Sequence, residues 1–384
     1  MSLFTFLLLS FFFAINSINK DELNYYYKDY IKSFGYDFEE HKVTTEDGYI
    51  LNLWHLVPKN PPVPIDKVAF IQHGFTCTPW VFFQLKEKSL PFLLSQSRYD
   101  IWLGNSRGTL FALDHVSKDH TDANGDYWDY SLDDLAAIDL PTSIDYVKQR
   151  TKKEKVYYLG HSQGTAIFFM LYRHNPAYIE SSVEKFVALG TVPSVSYTDF
   201  FGLKALDGVY KIIEKATPIT KAIQFNNLER VMLSNVCKKT PYICRKLIDA
   251  MANTHATNRI DYKTIYPFMY YYPGGTNSNS LLHWSQIHQQ KDLVYFNPDY
   301  YKTKVSVFYP IEPIKKWKVK AFIQRSDSDT FSSYDDVTNL YNTIEDKSKI
   351  ILADTIDYGH LDELAAESSI QDIYYPIINF LNDF

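Results

Sequence analysis

The chain predicts an α/β fold: a mostly parallel sheet with helices on both faces, interrupted late by a mainly helical insertion. Three observations carry that reading. Short apolar runs alternate with helical patterns through residues 67–189, the rhythm of strand–helix–strand units whose sheet is covered on both faces. One such run, 156–159, ends in Gly160-His161-Ser162-Gln163-Gly164 and leads directly into the apolar helical pattern 165–174. The alternation stops at Gly190-Thr191-Val192-Pro193 and returns only with the apolar run 319–324.

From the N-terminus, residues 1–17 are apolar around Leu7-Leu8-Leu9 and Phe11-Phe12-Phe13, and the charged Lys20-Asp21-Glu22 follows. A stretch this short at the extreme N-terminus reads as a signal peptide rather than a membrane span. A short aromatic helix is expected at 25–34. Residues 41–45 and 49–57 read as two strands joined by the turn Glu46-Asp47-Gly48. A buried strand at 67–72 ends in His73-Gly74-Phe75. The pattern at 85–95 is helical, with a kink expected at Pro91. Strand 99–103 ends in Gly104-Asn105-Ser106-Arg107-Gly108. After a polar loop at 115–126, a helix at 131–150 begins on Ser131 as N-cap, with Asp134 in the first turn. The strand and helix around Ser162 follow, then a strand at 185–189.

Beyond residue 194 come helical pieces at 203–215, 228–234 and 242–252, an aromatic run at 262–272 and a Gly/Asn/Ser loop at 273–280. The closing part contributes a strand at 319–324, a helix at 334–344, a strand at 349–352 and a helix at 370–381. The expected organisation is a signal peptide at 1–17, a core built from 18–193 and 314–384, and a cap or lid at 194–313 folded over the carboxyl edge of the sheet.

The G-x-S-x-G stretch in its strand–turn–helix setting points to nucleophilic catalysis. A sharp turn lifts Ser162 out of the sheet, and the flanking glycines avoid collisions with the neighbouring strand and helix. A serine hydroxyl needs a base, and the base needs an orienting carboxylate. His360, in Asp357-Tyr358-Gly359-His360 between the last strand and the last helix, fits the base. His283 is its best rival, with a hydrogen-bonded role in the insertion as the plainer reading. Asp327 and Asp329 both lie just past the strand at 319–324 and both qualify as the acid, Asp329 slightly ahead. Asp335 and Asp336 read as helix N-terminal charges. The N–H groups of Gln163 and Phe75 are the expected oxyanion donors.

Composition limits the partners. The 384 residues carry a net charge of −6 with no basic run or face, which argues against nucleic acid. Aromatic content of 16% suits a protein lined for apolar ligands. Cys237 and Cys244 are close enough to close a small loop in an oxidising lumen, and Cys77 reads as a small buried hydrophobe.

With these pieces placed, the sequence resembles the acid lipase family, which includes gastric and lysosomal acid lipases. The stretches that carry the resemblance are Thr45-Glu46-Asp47-Gly48-Tyr49, Gln72-His73-Gly74-Phe75, Trp102-Leu103-Gly104-Asn105-Ser106-Arg107-Gly108, Gly160-His161-Ser162-Gln163-Gly164-Thr165, Leu282-His283-Trp284-Ser285-Gln286 and Gly359-His360-Leu361-Asp362. The resemblance implies an α/β-hydrolase core with a cap, and hydrolysis of carboxylic esters of lipids without metal or cofactor. It implies Ser162 as nucleophile, His360 as base and Asp329 as acid. It also implies lipid ester substrates, contact with a lipid droplet or membrane surface through the cap, and a secreted or endolysosomal (vacuolar) location. The competing readings are a soluble-ester esterase or acyltransferase with the same triad, and a non-catalytic lipid-binding protein.

Overall fold

Alternation of apolar side chains builds the centre. The computed structural model describes residues 26–61, 64–198, 221–252 and 262–383. Its main sheet contains β1 (Tyr36–Thr44), β2 (Tyr49–Pro58), β3 (Lys67–Gln72), β4 (Tyr99–Gly104), β5 (Val156–His161), β6 (Val183–Leu189), β7 (Lys320–Ser326) and β8 (Ile350–Thr355). Across the sheet they run β1-β2-β4-β3-β5-β6-β7-β8, with the two-residue strand Asp114–His115 also paired to β2. From β4 to β8 every pairing is parallel; β1 with β2 and β2 with β4 are antiparallel.

Successive residues of a strand point to opposite faces, and here both faces are buried. In β3, Ala69 and Ile71 join one core with Leu159, Val187 and Leu189, while Val68 and Phe70 join the other with Tyr158, Phe186 and Ala188. Helices cover each side, which explains why these strands read as apolar runs rather than as an alternation.

Several expectations are refined. The first hairpin strand begins at Tyr36, not at 41, because its outward face is polar and its apolar signal is thin. Pro91 does not kink a long helix: short turns at Pro79–Phe83 and Lys86–Lys88 precede a helix at Leu90–Gln96, and Pro91 lies in its first turn, where its missing N–H costs nothing. Ser131 caps its helix in a reciprocal box with Asp134, as expected. The helix then widens through a π turn at Leu135–Asp139 before Leu140–Thr151. A short helix at Pro176–Ser182, capped by Asn175, was not read from the sequence.

Between β6 and β7 lie helices at Asn227–Lys239, Pro241–Ala252, Tyr262–Tyr271 and Ser278–Gln290. The stretch 273–280 is therefore a loop only in part: Thr276–Asn277 pairs with Ala222–Ile223, and Asn277 caps the last of these helices. Cys237 and Cys244 form a disulfide across the junction of two of them. Arg230 is buried there, donating to the carbonyls of Phe225 (3.0 Å), Tyr270 (3.2 Å) and Pro273 (2.7 Å). Burial without a carboxylate lowers its pKa to about 10. Residues 1–17 and the helix expected at 203–215 lie outside the described residues. Among the described residues no helix is long and apolar enough to cross a membrane.

Candidate active site

β5 ends at His161 and the next helix, Gln163–His174, starts two residues later, so Ser162 alone makes the turn. Its backbone adopts φ 54° and ψ −119°, a strained conformation for a residue with a side chain. Both flanking glycines are required. A Cβ on Gly160 would stand 2.7 Å from the carbonyl carbon of Gly164, and one on Gly164 would stand 2.4 Å from the carbonyl oxygen of Gln72 on β3.

The turn delivers Ser162 Oγ to 2.7 Å from His360 Nε2, and His360 Nδ1 lies 2.7 Å from Asp329 Oδ2. Asp329 follows β7, and its other oxygen accepts the backbone N–H groups of Phe331 (2.8 Å) and Ser332 (2.9 Å). The Phe331 ring stacks on His360 at 4.9 Å. Asp329 and His360 are 5% and 6% exposed, so the carboxylate–imidazole pair is shielded from water. Asp327 is exposed and turned away, accepting the N–H of Asp357 at 2.9 Å.

The loop expected to supply an oxyanion donor lies against Ser162. A Cβ on Gly74 would come within 2.8 Å of Ser162 Cβ. Gln163 opens the helix, where the first N–H groups have no intrahelical acceptor. The Gln163 side chain accepts from Trp284 Nε1 at 3.4 Å, and Trp284 meets the Phe75 ring edge to face at 6.4 Å. Trp284 thus braces both residues named as donors.

Other histidines hold the frame. His73 Nδ1–H donates to the Gly74 carbonyl (2.8 Å) while Nε2 accepts the Ser106 N–H (3.2 Å), locking the 73–75 loop to the loop after β4. Burial pushes its pKa down to about 4, so it stays neutral. His161 Nε2–H donates to the His360 carbonyl at 3.1 Å, and burial, aided by His360, takes its pKa down to about 3. His283 is buried and donates from Nε2 to the Val294 carbonyl at 2.7 Å, matching its plainer reading. Cys77 is buried, with its thiol pushed up to about 12 by burial.

Four supporting residues hold places that the sequence did not announce. Gly190, at φ 49°, sits against His360: a Cβ there would lie 3.0 Å from His360 Cε1. Its N–H donates to Glu363 Oε2 at 2.6 Å. Glu363 is fully buried, and burial followed by the negative charge of Asp329 holds its carboxyl well above the ordinary range. Asp336 lies in the first turn of helix Tyr334–Thr343, as expected, but is not a surface charge. It is buried and accepts from Ser194 Oγ (2.6 Å) and from the N–H groups of Ser196 (3.1 Å) and Tyr197 (3.0 Å), fixing the chain that leaves β6. Arg107, in the loop after β4, is also buried. It bonds Asp139 through Nε (2.9 Å) and Nη2 (2.7 Å), bonds Asp47 of the β1–β2 turn, and stacks on Tyr49 at 3.9 Å.

A serine hydroxyl within hydrogen-bond reach of an imidazole, that imidazole backed by a buried carboxylate, and N–H groups at a helix start are what acyl transfer through a covalent intermediate requires. Comparison with known proteins agrees. Residues 27–85 match the partial alpha/beta-hydrolase lipase region, and residues 70–213 match the alpha/beta hydrolase fold family. Gastric triacylglycerol lipase of Bos taurus is 32% identical over 372 residues, spanning 91% of this chain and 89% of that protein. Lipase member K of Homo sapiens is 29% identical, spanning 94% of this chain and 92% of its own. Among solved structures, an esterase from Exiguobacterium antarcticum aligns with a TM-score of 0.54 at 13% identity, covering 90% of this chain and all of that one, a likeness of fold. On near-complete coverage at this identity, the chain belongs to the acid lipase family of α/β-hydrolases, the group to which gastric lipase belongs.

Proposed function

We propose that this protein hydrolyses carboxylic esters of lipids, triacylglycerols or steryl esters, through an acyl-enzyme on Ser162. The observation that carries the reading is the unbroken chain Ser162 Oγ–His360 Nε2–His360 Nδ1–Asp329 Oδ2, with 2.7 Å at each step between residues. Ser162 Oγ attacks the ester carbonyl as His360 Nε2 takes its proton. Asp329 fixes the His360 tautomer and stabilises the imidazolium. The N–H groups of Phe75 and Gln163 receive the oxyanion, a donation whose loss costs about 3 kcal/mol per group in comparable sites. His360 returns the proton to the departing alcohol. It then activates a water that releases the fatty acid.

Residues 194–313 act as a cap over this site. Phe225, Leu228, Tyr242 and Ile243 stand exposed on its described part, 43–63% accessible. Apolar side chains in that position suit transient contact with a lipid droplet or membrane surface. The Cys237–Cys244 disulfide and the apolar N-terminal stretch favour a secreted or endolysosomal location.

The test compares an emulsified long-chain triglyceride with a soluble short-chain ester, using the protein and its Ser162→Ala variant. Turnover of the emulsion, lost in the variant with the fold retained, supports the proposal. Turnover confined to the soluble ester marks a soluble-ester esterase. Near-full activity of Ser162→Ala removes the serine mechanism.

A further inference from the structure

The outer strands β1 and β2 carry a side-chain cluster that the serine chemistry does not use. Glu39 and His41 are two residues apart on β1 and therefore share a face. Antiparallel register sets His55 of β2 opposite Glu39. Three ligand-capable atoms converge there, all within 4.8 Å of one another. Glu39 Oε2 lies 3.1 Å from His41 Nε2 and 3.2 Å from His55 Nδ1.

The far nitrogen of each ring is held. His55 Nε2 lies 2.7 Å from Asp100 Oδ1, and His41 Nδ1 lies 2.9 Å from the Tyr146 hydroxyl. Asp100 is itself fixed, its other oxygen accepting Trp102 Nε1–H at 3.0 Å. His55 lies flat on Trp102, ring centroids 4.2 Å apart and planes 12° from parallel. As they stand, the near nitrogens donate N–H to Glu39 Oε2; a cation would take the place of those protons, while the far nitrogens stay held by Asp100 and Tyr146, as the outer partners of metal-binding histidines hold theirs.

Two of the three ligand-atom spacings come near a zinc shell. A tetrahedral zinc ion with bonds of about 2.0–2.2 Å separates its ligand atoms by about 3.3–3.6 Å. The observed 3.1 and 3.2 Å fall a few tenths short, within reach of small rotamer shifts. Side-chain exposure runs from 11% at His41 and 17% at His55 to 52% at Glu39, so the cluster opens to solvent on the carboxylate side. A water can complete the fourth position there. Two imidazoles and one carboxylate favour a borderline divalent ion over magnesium or calcium, which prefer all-oxygen shells.

We propose that Glu39, His41 and His55 form a surface site for a divalent cation of the zinc type, which clips the edge strand β1 to β2. The ion is structural, since its ligands take no part in the Ser162 chemistry.

The test is calorimetric titration of the full chain, purified without a histidine tag, with zinc chloride, and in parallel with magnesium chloride. The expected result is a single saturable zinc site of about micromolar affinity and no binding of magnesium. His41→Gln and His55→Gln should each weaken zinc binding by about tenfold or more. Zinc should raise the melting temperature of the wild type but not that of the His41→Gln/His55→Gln double variant, each compared with its own zinc-free melting. No saturable zinc binding by the wild type would overturn the proposal. So would wild-type zinc affinity in the folded double variant, which would place the ion elsewhere.

Discussion

Replacing Asp329 with Asn probes the site most sharply, because the change keeps shape and removes only charge and one acceptor. Oδ1 receives two backbone N–H bonds, from Phe331 and Ser332, and Oδ2 receives one from His360. An amide has a single oxygen. Turning its NH2 toward the loop would set a donor against two buried donors, whereas turning it toward His360 offends only one. At about 1–3 kcal/mol for each buried donor left unpaired, the second arrangement wins. The amide then faces Nδ1 as a donor, and the imidazole must answer with a lone pair. Its proton moves to Nε2, where it can no longer accept from Ser162. A triad forced into that tautomer loses about 10⁴ in kcat, near 5.5 kcal/mol of barrier. The assay is kcat/KM on a soluble chromogenic ester, with Asp327→Asn as control. Asp327 is exposed and contacts the Asp357 N–H and the Ser328 hydroxyl, so its variant should stay within about twofold of wild type. An Asp329→Asn enzyme within tenfold of wild type, or an Asp327→Asn enzyme equally impaired, would refute the reasoning.

Other expectations follow from buried charges and from the disulfide. Burial and the Asp329 charge hold the Glu363 pKa of the folded protein well above 4.5, whereas the unfolded chain ionises near the ordinary value. Its contribution is therefore fully present below about pH 4.3 and is lost as pH rises toward the folded pKa, by up to about 1.4 kcal/mol per pH unit. Urea melts at pH 5 and pH 8 should show wild type losing more stability than Glu363→Gln; parallel losses would contradict this. Arg107→Leu strands Asp139, whose side chain is 7% exposed, and should cost about 3–5 kcal/mol, read from the shift in urea midpoint. A shift below about 1 kcal/mol would mean that water reaches Asp139. The Cys237–Cys244 bridge closes a separation of 7 residues, worth about 2.5 kcal/mol on the chain-entropy account. Proteolysis within residues 227–252 should accelerate in the Cys237→Ser/Cys244→Ser variant, and an unchanged rate would deny the bridge that role.

What the sequence made readable was mostly local. The hairpin turn, the Ser131 cap and Gly160 are each dictated by neighbours within a few residues, whereas Gly164 answers to the Gln72 carbonyl on β3. Ser162 and His360 could be named because the chemistry demands a base on a late loop. The residues alone put Asp329 only slightly ahead of Asp327 and the family resemblance named it; the fold adds the reason, turning Asp329 inward to His360 and leaving Asp327 exposed. Glu363, His161 and Asp336 were misread or passed over for a related reason. Their partners, Gly190, His360 and Ser194, lie 173, 199 and 142 residues away. An acidic side chain beside apolar residues, as in Asp362-Glu363-Leu364-Ala365, gives no sign of whether it will be buried. Pro91 misled because proline disrupts a helix interior but is welcome in a first turn, and the boundary decides which applies.

The segment after Tyr262–Tyr271 has a consequence for redesign. Gly274 accepts from the Leu110 N–H at 2.8 Å, its own N–H donates to Thr76, and a Cβ there would stand 2.6 Å from the Cys77 carbonyl. Thr76 directly follows Phe75. The link between helices Tyr262–Tyr271 and Ser278–Gln290 is therefore bolted to the strand-end turn beside Ser162. Chimeras that exchange substrate preference between relatives should place their junctions on the far side of this bolt, leaving residues 273–277 with the host scaffold. A transplant that carried its own version of those residues would disturb the reaction centre along with the selectivity it was meant to change.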